Sequence, residues 1–479
     1  MGSFKLLAVA LGAALLVSAC GGGGDGDQAP AVKYASVVSF GDSLSDAGTY
    51  KAGVTANVLR GGAGGVGGMF TVNGIAGAVG ANPTPTYNFA QLVSASAVGS
   101  PSCAARSGGF GVVEVVVPNC TNYAQGGARV TSPFGTDNKT GAGNTGGPLT
   151  EPVVTQVNNY LLDAKNGGKF TGKELVTVLA GANDLLAQTD LLSAGVVGAA
   201  GQALVTSLVT QLIAGLAPAN QATAAPAITA AAGTAVGSAI ATASAATGST
   251  LTSIITAATS AGTQAAAQAA GLDAATNVYA NANLANAATI GATAGGAAGT
   301  AATAYASGAG AAKAVTGMAT VAGELVASVK GMIANGATRV VVSNLPDVSQ
   351  TPMALANDAS QRQLILAMTN AFNQTLKAGL TGTAGVVFVD IFTENQNQFA
   401  NPAYYQLSNV KDTACNLTVG ANALATAAKS GSSLVCNTGN LIAGDTSRYL
   451  FADSLHPTPY GHKLLAQVVT KELVKAGWL

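Results

Sequence analysis

An α/β fold layered around a parallel sheet is what this 479-residue chain predicts. Short apolar runs rich in β-formers recur along it, helical spacing separates the later ones, and glycine follows the first two. The first run is Tyr34-Ala35-Ser36-Val37-Val38-Ser39-Phe40, which ends at Gly41. A Gly-rich stretch over 61–80 follows and reads as loop. The second run, Leu175 to Leu179, is stopped by Gly181. Leu204, Leu208, Leu212 and Leu216 stand four apart, the spacing of one amphipathic helix. Beyond them, 261–311 is so rich in alanine and glycine that tightly packed small-residue helices and a mobile segment both fit. The third run is Arg339 to Ser343 and the fourth Val386 to Asp390. Between these two, Leu364, Met368, Ala371, Phe372 and Leu376 mark a helix, and Leu465, Val468, Val469 and Leu473 mark a last one.

Composition narrows the function classes. Charged residues are only 9% of the chain, and 21 Lys+Arg balance 21 Asp+Glu. That leaves no basic surface for nucleic acid, so no nucleic-acid partner is expected. A hydrophobic share of 48% and a mean hydropathy of +0.38 exclude charge-driven disorder. Alanine and 62 glycines carry most of that hydropathy, so no stretch is expected to span a bilayer. Between Asp190 and Lys313 the one charged residue is Asp273. Residues 191–312 therefore read as a low-charge Ala/Gly/Thr-rich insertion, mainly helical, tolerated on the domain surface. A lid over a site is the alternative reading.

The N-terminus reads as an address. Lys5 precedes an apolar run from Leu6 to Val17, too short to span a membrane, which ends in Val17-Ser18-Ala19-Cys20. This resembles a bacterial lipoprotein signal: 1–19 would be removed, Cys20 acylated, and the Gly-rich residues 20–33 left as a tether. By analogy with other lipoproteins, Gly21 after the cysteine points to the outer membrane. The expected location is thus an exported, lipid-anchored protein facing the periplasm or the cell surface. Of five cysteines, a lipidated Cys20 leaves Cys103, Cys120, Cys415 and Cys436. Three connectivities are open, of which the local pairs Cys103–Cys120 and Cys415–Cys436 are simplest in an oxidising compartment. No C-x-x-C spacing supports zinc, and no metal site is expected.

The chemistry lies at strand ends. Phe40-Gly41-Asp42-Ser43-Leu44-Ser45-Asp46 falls where the first strand stops, which exposes a serine and leaves its backbone N–H able to face an oxyanion. This heptapeptide resembles the first block of the GDSL, or SGNH, esterase/lipase family. The remaining blocks follow in order: Asn122-Tyr123-Ala124-Gln125-Gly126-Gly127-Ala128, then Gly181-Ala182-Asn183-Asp184, then Asp453-Ser454-Leu455-His456-Pro457-Thr458. The resemblance covers 34–190 and 313–479, and the Ala-rich middle has no counterpart in it. It implies a three-layer, flavodoxin-like fold, a catalytic set of Ser43, Asp453 and His456, and an oxyanion hole of the Ser43 and Gly127 N–H groups with the Asn183 amide. Gly126 remains open beside Gly127. The chain holds two histidines, and one stands where a serine needs its base; His462 reads as structural. Asp42 reads as a helix cap, Asp46 as a local hydrogen-bonding residue and Asp184 as a tie between loops. Trp478 should pack the final helix, and Asn344-Leu345-Pro346-Asp347 should line the pocket without reacting.

The function expected from this set is hydrolysis of carboxylic esters by a monomer needing no cofactor. Its substrate would be an acyl ester, a lipid among the candidates, near the membrane that the anchor reaches. Within the family, a carbohydrate O-deacetylase or a phospholipid acyltransferase is the alternative. An aromatic share of 5% disfavours a sugar-stacking platform. A non-catalytic surface lipoprotein is the reading from another class.

Overall fold

The computed structural model describes residues 32–53, 68–74, 86–135, 147–164, 167–216, 218–246, 248, 250–272, 278–418 and 431–479. Cys20, the signal and most of the tether lie outside them, as does much of the Gly-rich stretch over 61–80. The four apolar runs form β1 (Ser36–Gly41), β4 (Glu174–Leu179), β5 (Val340–Ser343) and β6 (Val386–Val389), all parallel in the order β1-β4-β5-β6. Two small two-stranded sheets flank them: β2 (Arg106–Gly109) with β3 (Val112–Val116), and β7 (Asn409–Thr413) with β8 (Tyr449–Phe451).

Although the central strands are apolar on both faces, their side chains still divide with period two. Val37, Leu175, Leu179 and Val341 face α1 (Phe89–Val98) and α12 (Pro459–Lys475), where they meet Phe89, Val93, Val469 and Leu473. Val38, Phe40, Val176, Val178 and Val342 face the other way. There they meet α2 (Val153–Asp163), the start of α3 (Ala182–Ala214), the end of α8 (Ala309–Ala334) and α10 (Ala359–Leu380). Helices on both faces of a parallel sheet make the expected three-layer fold. Trp478 packs beside this core, its carbonyl accepting from the Tyr34 hydroxyl at 3.0 Å.

The Ala-rich middle is helical: the outer part of α3, then α4 (Pro218–Ala245), α5 (Leu251–Ala269), α6 (Val278–Ala285), α7 (Ala287–Ser307) and the start of α8. It has a core of its own, built on Leu208, Leu212, Ile228, Val236, Tyr279 and Ile290. Small residues let these helices approach closely: a Cβ on Gly262 would sit 2.5 Å from Val236 and 2.7 Å from Leu212. Both expected domain boundaries fall inside continuous helices, so the insertion grows directly out of α3 and returns through α8.

The expectation that no segment reaches membrane-spanning character needs correction. Ala182–Ala214, Pro226–Ala245 and Ala287–Ala334 are each long and apolar enough to cross a membrane by length and composition. Alanine is the physical reason: it counts as apolar, and this segment carries almost no charge to offset it.

The two disulfides are the local pairs, Cys103–Cys120 and Cys415–Cys436. The remaining α-helices of the described residues are the short α9 (Pro352–Leu355) and α11 (Ile391–Ala400); α11 lines a cavity at the carboxyl edge of the sheet together with the loops after β1, β4, β5 and β6. In an open parallel sheet that edge is where ligands bind.

Candidate active site

β1 delivers Ser43 to the carboxyl edge of the sheet. The Gln156 side chain of α2 pins the strand's last residue, accepting from the Gly41 N–H at 2.8 Å and donating to the Gly41 carbonyl at 2.8 Å. Two residues on, the Ser43 Oγ lies 2.9 Å from His456 Nε2, and His456 Nδ1 lies 2.7 Å from Asp453 Oδ2. The turn carrying the acid and base is wound around that carboxylate: Asp453 Oδ1 accepts the N–H groups of Leu455 at 2.9 Å and His456 at 2.7 Å. Asp453 Oδ2 also accepts the Ser433 N–H at 2.6 Å. Burial by itself would raise the Asp453 carboxyl, but the His456 charge and these donors outweigh it and hold it at about 2. Asp453 therefore stays ionised at neutral pH. A carboxylate on Nδ1 fixes the tautomer in which Nε2 is the base facing the hydroxyl.

The neighbouring donors separate Gly126 from Gly127. The Gly126 N–H is committed to Asp46 Oδ2 at 2.9 Å, whereas among the described residues neither the Gly127 nor the Ser43 N–H has an acceptor. Gly127 also has φ +81°, which glycine adopts at little cost. Asn183 sits in the first turn of α3, lines the same cavity as Ser43, and is oriented by its amide nitrogen donating to the Ala128 carbonyl at 3.0 Å. Next to it, Asp184 accepts from Arg129 Nε at 2.9 Å and from the Val130 N–H at 3.0 Å. Asp184 thus ties the second block to the third and locks Gly127 and Asn183 in one register.

Asp46 is more than a local partner, since it joins Gly48, Thr49 and Gly126. Burial raises its carboxyl to about 6 against these N–H donors. Burial also raises Asp42 to about 7; its Oδ1 takes the Leu44 N–H at 3.1 Å, and its Oδ2 has no partner among the described residues.

Three features carry no sequence signal. Phe70, inside the Gly-rich stretch, lays its ring against His456 with centroids 4.9 Å apart. Ser433 acts through its main chain. The third is α11, whose Glu394, Asn395 and Gln398 wall the cavity beside Leu455, Leu465 and Val468; of the loop expected to line the pocket, Pro346 does so, and Asn344, Leu345 and Asp347 are not among the lining residues. That cavity is mostly apolar.

Gly126 backs onto Phe70: a Cβ there would run into the ring. Gly126→Ala is expected to cost roughly 1–3 kcal/mol by overpacking and to lower kcat by displacing the ring that supports His456. Thermal melting and steady-state kinetics of the variant check this. A variant of unchanged Tm and kcat would contradict it.

His462 takes no part in the relay. It is fully buried on α12, its Nδ1 accepting the Phe89 N–H at 3.4 Å and its Nε2 3.5 Å from the Phe70 carbonyl. Burial lowers its pKa to about 4. The unfolded chain thus binds a proton that the folded chain refuses between pH 6.5 and 4. The stability from neutral His462 is complete above pH 6.5 and falls by roughly 3 kcal/mol as pH drops through that window. His462→Gln, unable to titrate, should lose this part of the acid dependence, as chemical denaturation at pH 4.5 and 7.5 would read. An identical pH dependence in the two proteins would contradict this role for His462.

Residues 235–469 match the family model described as GDSL-like Lipase/Acylhydrolase. The match takes in β5, β6, β8, Asp453 and His456. It begins inside α4, within the segment expected to have no counterpart, and Ser43, Gly127 and Asn183 precede it. No curated protein matches the chain.

Proposed function

The chain belongs to the GDSL-like lipase/acylhydrolase family, and from that premise we propose that it hydrolyses carboxylic esters through an acyl-enzyme on Ser43. One observation carries this reading: the unbroken relay Ser43–His456–Asp453, with contacts of 2.9 and 2.7 Å. His456 Nε2 takes the hydroxyl proton as Ser43 Oγ bonds to the ester carbonyl carbon. The oxygen of the tetrahedral intermediate becomes negative, and the Ser43 and Gly127 N–H groups with the Asn183 amide are the donors assigned to it. Removing one such donor typically costs about 2.7–4 kcal/mol of barrier. Asp453, held ionised, stabilises the imidazolium. That imidazolium protonates the departing alkoxide, and the alcohol leaves. Water, deprotonated by the same nitrogen, then attacks the acyl carbon and returns Ser43 with free acid.

The apolar cavity beside Ser43 favours an acyl chain over a sugar, and so a carboxylesterase or lipase over an O-deacetylase. The same acyl-enzyme would serve an acyltransferase if an alcohol replaced water. The intact relay speaks against a non-catalytic lipoprotein. We also assign Cys20 as a lipid anchor that holds an exported monomer at the outer membrane, on the strength of the 1–20 sequence. Radiolabelled palmitate incorporation, lost in Cys20→Ser, tests the anchor.

Hydrolysis of p-nitrophenyl esters of graded chain length, run beside acetylated sugars, tests the activity. The expected result is turnover that rises with acyl length until the cavity is filled. Turnover confined to acetylated sugars would favour the deacetylase instead.

A further inference from the structure

We propose that the preferred substrates are esters with an apolar chain on each side of the carboxyl group, and that a second groove along the base of α3 takes the alcohol side. This rests on the serine-hydrolase reading above. The cavity at Ser43 is bounded on its α3 side by Ala182 and Asn183 and on its α9 side by Val348 and Thr351. The groove takes up both edges one step further out. Leu186 is four residues past Ala182, on the same helix face and about one turn, or 5.4 Å, along it, and Met353 is two residues past Thr351. From there Leu186 and Leu192 of α3 oppose Leu364, Ile365 and Met368 of α10 across a groove of about 230 Å³. Its rim residues, Thr189, Ser193, Asn357 and Gln361, are neutral, and no charged side chain lines it.

The chemistry assigns a chain to each space. After the first half-reaction the acyl carbon stays bonded to Ser43 Oγ while the ester C–O bond breaks and the alcohol leaves with a proton from His456. The group that remains bonded to Ser43 belongs in the cavity that Ser43 itself lines, which holds it while water attacks. The group that leaves is free to lie in the neighbouring groove, which Ser43 does not line. An insertion rooted in α3 would therefore act on specificity through its base, because the helix that carries Asn183 also forms one wall of the groove. Long-chain alkyl esters and glycerolipids both have the required two-sided apolar character.

Two ratios of kcat/KM test this: octyl over methyl butyrate for the alcohol side, and methyl octanoate over methyl butyrate for the acyl side. The wild-type octyl/methyl ratio should be about tenfold or more, given what each buried methylene contributes. Leu192→Asp, which charges the groove, and Ser193→Trp, which fills it from an exposed position, should each bring that ratio near unity and leave the acyl ratio in place. An unchanged alcohol ratio in both variants, or a parallel fall of both ratios, would overturn the assignment. Calorimetric titration of 1-octanol into Ser43→Ala protein gives a readout free of turnover. Binding that weakens in the Leu192→Asp background supports the groove even if no ester is hydrolysed, which would sink the hydrolase reading alone. Turnover without octanol binding would sink the groove alone.

Discussion

Ser43→Ala is expected to lower kcat for any ester by roughly 10⁴- to 10⁶-fold, with His456→Ala about as severe and the double variant little worse, because the two act as one unit. The reason is local. Ser43 Oγ is the atom 2.9 Å from His456 Nε2; without the hydroxyl there is nothing to acylate, and without the imidazole nothing takes its proton. The folded structure should barely change, since the alanine removes one oxygen from a side chain with some solvent access at the cavity. Steady-state assays with circular dichroism melts on the same samples check both halves. A Ser43→Ala enzyme retaining a tenth of wild-type kcat would require another nucleophile.

Asp453→Asn carries the second largest expected loss, about 10³- to 10⁴-fold in kcat with little change in KM. Asp453 accepts four hydrogen bonds: Oδ1 from the Leu455 and His456 N–H groups, and Oδ2 from the Ser433 N–H and His456 Nδ1. Asparagine has only one acceptor oxygen. If that oxygen keeps the two turn N–H groups, its NH₂ faces the Ser433 N–H and His456 Nδ1. The imidazole then moves its proton to Nε2, where it donates to Ser43 and no longer acts as base. If the amide flips, the Leu455–His456 turn loses its acceptor. Either way the base is lost while the substrate cavity survives. The tautomer is readable directly by ¹⁵N NMR of the His456 ring: the wild type should be protonated at Nδ1 and the variant at Nε2. Equal kcat in the two proteins would remove Asp453 from the relay.

How far the sequence reaches depends on how local each signal is. The four central strands are legible because each is a short apolar run that a parallel sheet buries on both faces. Ser43, Asn183, Asp453 and His456 are legible because their positions follow strand ends or lie within one short turn. The choice between Gly126 and Gly127 is not, since it turns on Asp46, eighty residues earlier, claiming one of the two N–H groups. Phe70 and the Ser433 N–H are hidden too: Phe70 reaches the site from far away in the chain by ring packing, and Ser433, 20 residues before Asp453, does so by main chain alone, which leaves no mark on residue type. In the Ala-rich middle, composition is ambiguous between a mobile segment and helices. Leu208, Leu212 and Val236 settle it by giving the small residues a core to pack around. The ends of that insertion are illegible because α3 and α8 run through them without a break.

The most direct test of an acyl-enzyme on Ser43 is intact-protein mass spectrometry with peptide mapping after exposure to an alkyl fluorophosphonate. A serine activated by its neighbour displaces fluoride and keeps the phosphonyl group. A single adduct is expected, on Ser43, formed rapidly by the wild type and suppressed in His456→Ala. A protein that melts cooperatively yet takes no label, or takes it on a residue other than Ser43, would contradict it.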